Sequence, residues 1–173
     1  MERCAEFDKK REYRFVLKRK WGTNADNFVN FILLNPSTAD ENTDDPTIRR
    51  CINFAQSWRY DGIWVTNLFA YKATEPENMK KADDPVGEKN DSYIEKYAEK
   101  SKKIVVAWGD DGDFRNRRNQ VIRILSQLEK DLYCFHINKS GNPQHALRVS
   151  NETLSNETEN NETKLIDFLN NTK

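Results

Sequence analysis

The sequence predicts an α/β fold: a three-layer sandwich around a mostly parallel sheet of four to five strands. Two observations carry this. Short apolar runs alternate along the chain with segments of helical periodicity, which is the order of a parallel α/β sheet. Each apolar run also stops at a polar loop. The clearest stop is the run Phe31-Ile32-Leu33-Leu34 ending at Asn35-Pro36-Ser37-Thr38.

The elements follow in order. Residues 13–21 alternate partly and read as an edge strand or hairpin arm. Residues 28–34 are nearly all apolar, as expected of a central strand covered on both faces. A helix over residues 46–59 follows, with Asp45 as N-cap, Pro46 in the first turn, and Ile48, Cys51, Ile52 and Ala55 on one face. Gly62 marks its end. Residues 63–69 form the next strand, and residues 70–87, broken by Pro76 and Pro85, read as a long loop. Helices over residues 88–101 and 115–129 then alternate with strands over residues 104–108 and 132–137. The sequence divides into one α/β domain at 1–150 and a tail at 151–173. In the tail, a low-complexity tether (NETLSNETENNETK) leads to a short helix at residues 165–170.

Charge narrows the partners. The chain carries 28 basic and 28 acidic residues, so it lacks the excess of positive charge common in duplex-DNA binders. The basic stretches at residues 9–20 and 115–123 read as solvated faces of a strand and a helix. Three cysteines with no zinc-like spacing, no signal-peptide pattern and no membrane-length apolar run point to a reduced, cytoplasmic protein. There is no Walker-type loop, GxGxxG, GxSxG or HExxH.

In parallel sheets, ligands collect beyond the carboxyl ends of the strands. Four loops are therefore expected to converge. The first holds Asn35, Ser37 and Thr38, followed by Asp40, Asp44 and Arg49. The second holds Asn67, Phe69 and Tyr71. The third begins at Trp108, and the fourth ends at His145. Asn35 can hold a water through its carboxamide, and Ser37 and Thr38 can hold an anion with the amides of the next helix. Asn67 can read a base edge, the three aromatic residues can stack on a flat ring, and His145 can act as an acid, base or donor. A solvated, capped loop is the plainer reading of Asp110, Asp111 and Asp113, and no cofactor or metal is expected.

The segments LNPSTAD, DDPTIRRC, FAQSW, VTNLFAY, ADDPVG, AWG and SGNPQH occur in that order. Together they resemble a bacterial and phage family known as domain of unknown function 1643, over about residues 13–149. A second resemblance is to the uracil-DNA glycosylase superfamily. It rests on an apolar strand ending in Asn-Pro-Ser, a later strand carrying an Asn, and a His after a late turn. It implies a glycosylase-like fold and an N-glycosidase, a hydrolase of base–sugar bonds. In that reading Asn35 positions the water, His145 stabilises the departing base, and Asn67 and Phe69 contact the base. The sequence departs from that superfamily at Ala146-Leu147, where Pro-Ser or Pro-Ala and a DNA-wedging loop are typical.

The reaction needs anionic surroundings for a sugar cation, which Asp40 or Asp44 can supply; Asp45 is engaged in capping. The expected partner is a nucleotide or nucleoside-type small molecule, such as a cyclic dinucleotide signal removed in phage counter-defence in the host cytoplasm. A homodimer is compatible with the sequence. The alternatives are a glycosylase acting on modified or single-stranded DNA, and a nucleotide-binding module or sponge without turnover. The DNA alternative expects Arg115, Arg117 and Arg118, or the stretch at residues 9–20, at the pocket mouth.

Overall fold

A computed structural model describes residues 1–150 and 165–171. Its centre is the sheet the sequence calls for. Strand β3 (Phe28–Leu33) is buried along its whole length. It pairs in parallel with β4 (Gly62–Asn67) on one side and with β5 (Lys103–Val106) on the other. Strand β6 (Leu132–Cys134) continues the parallel set beyond β5.

The sheet as a whole is mixed, not mostly parallel, and larger than the four to five strands expected. Strand β1 (Glu2–Phe7) pairs antiparallel with β2 (Arg14–Lys20), and β2 pairs antiparallel with β4. At the far edge β7 (Ile166–Asp167) pairs antiparallel with β6. The order across the seven strands is β1-β2-β4-β3-β5-β6-β7. The additions at both ends cover edges that would otherwise present unpaired backbone groups. The strand signal of β1 is hidden by its charged, largely exposed sequence, whereas β2 falls within the strand expected at residues 13–21.

Helices cover both faces. On one side α1 (Pro46–Ser57) places Ile48, Cys51, Ile52 and Ala55 against Val29, Phe31, Leu33 and Val105. On the other, α3 (Asn90–Lys100) and α4 (Arg117–Ser126) place Ile94, Ala98, Val121 and Leu125 against Ile32, Leu34, Ile104 and Val106. Successive residues of β3 and β5 thus feed opposite cores, as the two-residue strand period requires. Between β4 and β3, the hydroxyl of Thr66 donates to Asn30 Oδ1 at 3.2 Å, which pairs two buried polar groups.

Other expectations change in detail. Residues 70–87 are not structureless: α2 (Pro76–Lys80) forms a short turn of helix there. The predicted helix at 165–170 begins with β7 and becomes helical only as α5 (Phe168–Asn171). Phe168 is buried edge-on to Trp108, their ring centroids 5.8 Å apart. The tether at residues 151–164 lies outside the described residues. The basic stretches are not simply solvated: Arg14, Arg19 and Arg117 are all buried. Cys51 and Cys134 are buried free thiols, and Cys4 is exposed. Among the described residues, no helix is long and apolar enough to cross a membrane.

Candidate active site

The strand order fixes where a ligand can enter. From β3 the chain crosses over α1 to β4 on one side, and later strands are laid down on the other side, starting with β5. The carboxyl ends of β3 and β5 therefore flank a crevice where loops diverge. The structure has a cleft of about 1090 Å³ at this point. Its wall includes Asn35, Ser37 and Thr38 after β3, and Trp108 to Asp111 after β5. Gln144 to His145 and Leu147 to Arg148 follow β6, Asp45 to Ile48 open α1, and Arg14 comes from β2.

Asn35 is held by its amide. Nδ2 donates to the Ala73 carbonyl at 2.7 Å and to the Pro36 carbonyl at 3.1 Å. The Ala73 amide in turn donates to the Pro36 carbonyl at 2.9 Å, closing the loop on itself. Asn35 Oδ1 has no hydrogen-bond donor among the described residues. The side chain is thus fixed with its acceptor free.

His145 precedes a 3-10 turn at Ala146–Arg148, and its Nδ1 accepts from the Leu147 amide at 3.2 Å. An acceptor at Nδ1 places the proton of the neutral ring on Nε2. Burial, and then the charge of Arg148, hold the imidazole below its ordinary value of 6.5, against an opposing pull from Asp45. The ring is therefore neutral at physiological pH, and Nε2–H is its donor.

Trp108 forms buried wall. Its indole N–H donates to Asn142 Oδ1 at 3.1 Å. Gly109 follows with φ +78°, a left-handed conformation suited to glycine, and its amide donates to the Pro143 carbonyl at 2.9 Å. Asp110 turns its carboxylate to Asn138 at 2.9 Å and Ser140 at 2.5 Å, and these bonds hold its pKa down. Asp111 pairs with Lys80 at 2.7 Å. Among the described residues, no group of three or more His, Cys, Asp or Glu is placed to hold a metal ion.

Of the sequence-derived candidates, Asn35, Ser37, Thr38, Trp108 and His145 meet on the cleft. The others lie elsewhere. Asp40 caps its own loop, accepting from the Asn42 and Thr43 amides at 2.8 Å each. Asp44 pairs with the buried Arg19 and with Arg3, both at 2.7 Å. Arg49 donates back to the Asp44 carbonyl. Asn67 is buried, and neither polar atom of its carboxamide has a partner among the described residues. Phe69 is enclosed in the second core against Phe114, with ring centroids 5.8 Å apart. Tyr71 lies on an adjoining cleft of about 450 Å³, whose wall shares Ser37 and Thr38 with the first. The physical reason for the Asn67, Phe69 and Tyr71 placements is common to all three. They lie at or just past the end of β4, on the far side of β3 from β5; only farther along the same loop do Ala73 to Pro76 turn back to the cleft wall.

The start of α1 offers an anion less than expected, since Pro46 has no amide N–H and the Ile48 amide is taken. Asp45 occupies that place with its own carboxylate, accepting from the Ile48 amide at 2.9 Å and the Ala39 amide at 3.4 Å. Sequence reasoning missed Arg14. Its only signal is its position in the basic stretch at residues 9–20, which reads as a solvated face and which only the DNA alternative expects at the pocket mouth.

A family model described as "Protein of unknown function (DUF1643)" matches residues 14–147, from the buried arginine of β2 to the turn after His145. No curated protein and no solved structure matches the chain.

Proposed function

We propose that this chain, which belongs to the DUF1643 family, hydrolyses the base–sugar bond of a nucleotide in the cleft between the ends of β3 and β5. One observation carries the reading. The cleft holds a fixed, unused acceptor, Asn35 Oδ1, and a neutral histidine whose free nitrogen is a donor. N-glycosidic hydrolysis asks for that pair. The C1′–N bond breaks with its electrons going to the base, and the sugar becomes cationic. Water then adds its oxygen to C1′, and the proton it gives up ends on the departed base, which leaves neutral. Asn35 Oδ1 accepts a hydrogen bond from the water and holds it for attack. His145 Nε2–H stabilises the negative charge growing on the departing base. Asp45 and Glu75 line the same cleft and supply negative field around the sugar cation. The resemblance to the uracil-DNA glycosylase superfamily supports this assignment of Asn35 and His145.

A free nucleotide in the cytoplasm is the favoured substrate over duplex or single-stranded DNA. Balanced charge supports this. The basic groups divide: Arg14, from the stretch at residues 9–20, lines the cleft, whereas the arginines at residues 115–118 do not. Arg115 donates to the Asp83 carbonyl at 3.2 Å, and Arg117 is buried on the Leu68 carbonyl and Asp91. Neither lines the cleft.

The test is incubation of purified protein with nucleoside monophosphates, cyclic dinucleotides and uracil-containing or modified oligonucleotides, followed by chromatography for free base. Release from one class supports the reading and names the substrate. Ligand retained intact through gel filtration, with no base released from any class, would replace it with a binding module.

The histidine gives a pH prediction. Its folded pKa lies below 6.5, so the neutral form dominates at and above that pH. Below it, protonation of Nδ1 breaks the bond from the Leu147 amide, and the ring loses its orientation. Activity should therefore be level from about pH 6.5 upward on this limb and fall only at more acid pH. Stability has the same sign. The unfolded chain takes up the proton first, so the contribution of neutral His145 is complete above 6.5 and is lost as pH falls. A pH–rate profile of His145→Asn that keeps the acid limb would assign it to another group.

A further inference from the structure

We propose that Arg14 is the anion-binding residue of this cleft and that it holds the phosphoryl group of a free nucleotide; the nucleotide part rests on the function proposed above. The argument begins with three buried arginines. Arg19 is paired with Asp44, and Arg117 with Asp91. Arg14 is equally buried, at 2 % exposure, yet it forms no ion pair among the described residues. Nη1 alone is engaged, donating to the Ala39 carbonyl at 2.7 Å. Among the described residues, the buried Nε has no partner and Nη2 makes no hydrogen bond.

A buried charge with unfilled donors is costly unless something completes it. Arg14 is the one of the three that borders the cleft. Asp45, the carboxylate whose charge most favours the Arg14 cation, is turned to the Ile48 and Ala39 amides and makes no hydrogen bond to Arg14. A ligand oxygen arriving through the cleft has no such commitment.

The chemistry of the site favours a phosphoryl group. A guanidinium fork matches two phosphate oxygens at once. Ser37 and Thr38 line the same cleft, and their hydroxyls make no hydrogen bond to the described residues, so donors remain for a third oxygen. Burial lowers the guanidinium to about 10, which leaves it charged at neutral pH. The start of α1, the usual place for an anion, is filled by Asp45. Arg14 is therefore the buried positive charge available to a phosphorylated substrate; Arg148, also on the cleft wall, is exposed.

The experiment uses the wild-type protein first. Inorganic phosphate is titrated while the Nε–H signal of Arg14 is followed by NMR, with acetate as the carboxylate control. A saturable shift with phosphate and not with acetate is expected. A nucleoside 5′-monophosphate should bind about tenfold or more tightly than its nucleoside, and Arg14→Met should remove that difference. Phosphate should raise the Tm of wild type and not of Arg14→Met, and the variant without ligand should melt no lower than wild type.

No shift of the Arg14 signal, or equal binding of nucleoside and nucleotide by wild type, would overturn the proposal. So would an Arg14→Met protein that melts lower and still binds phosphate, because the residue would then be only a strut for Ala39. An equal response to acetate would remove the phosphate assignment. Tighter binding of single-stranded DNA than of mononucleotide would transfer the phosphoryl group from a free nucleotide to a strand. Should the variant fail to fold, the wild-type titrations decide alone. Phosphate binding without base release from any nucleotide would sink the glycosidase reading and leave Arg14 standing. Base release from nucleosides as fast as from nucleotides would do the reverse.

Discussion

Replacing Asn35 with alanine should lower kcat for base release by about 10²–10³-fold, the usual cost of removing one fixed polar group from a reacting centre. The argument is geometric. Both protons of the carboxamide are spent on the Ala73 and Pro36 carbonyls, so the side chain cannot turn. Its oxygen is fixed where it can only accept, and a water is the donor that the proposed chemistry brings there. Alanine removes the oxygen and leaves the wall otherwise intact. Stability should fall as well, by about 0.5–1.5 kcal/mol for each lost bond. Rates are therefore to be compared at a temperature where both proteins are folded. Asn35→Asp is the informative companion. A carboxylate cannot donate to either carbonyl and is repelled by both, so it should turn away and lose activity although it still carries an acceptor. Asn67→Ala serves as the control, because Asn67 lies away from the cleft. Base release by Asn35→Ala within about threefold of wild type would remove Asn35 from the mechanism.

The parts of this site legible in the sequence are those set by neighbours along the chain. Asp45 and Pro46 announce the start of α1, and the Asp45 carboxylate does accept from the Ile48 amide three residues on. The burial of β3 follows from its unbroken apolar run. The parts not legible depend on distant partners. Nothing local separates Arg14 and Arg19 from the lysines around them. Burial of Arg19 requires Asp44, and burial of Arg117 requires the Leu68 carbonyl. Asn67 and Phe69 illustrate a different limit. Each lies at or just past the end of a strand, as Asn35 does, and periodicity assigns the three similar places. Only the order of strands in the sheet puts β5 beside β3 and leaves β4 on the other side. β1 escaped for a third reason. It is an edge strand whose side chains are half or fully exposed, so burial leaves no mark on its sequence.

Asp44→Ala should be the most destabilising of the acidic substitutions, by about 3–5 kcal/mol, because it leaves Arg19 charged, buried and without its carboxylate. For a chain of this size that is a fall in Tm on the order of 10 °C. The other partners of Arg19 are the Lys18, Asp40 and Thr43 carbonyls, which accept hydrogen bonds but do not neutralise charge. Arg3 also meets Asp44, yet it is more exposed. Arg3→Ala should cost about 1 kcal/mol or less. Removing both members of the buried pair tests the cause. Arg19→Met with Asp44→Leu should recover most of the loss, since no charge then remains to be satisfied. The same series decides the role of Asp44 in the reaction. From sequence, Asp44 is a candidate base or field-setting group; in the fold it is spent on holding the segment between β3 and α1 to β2. An aspartate of that kind changes the fraction of folded protein and not the chemistry of the folded molecule. Below the melting transition, Asp44→Ala should therefore keep kcat within about threefold of wild type. A loss of 10²-fold or more in fully folded protein would return Asp44 to the reacting centre. It would also mean that the segment after Asn35 moves on binding, bringing a carboxylate now tied to Arg19 into the cleft.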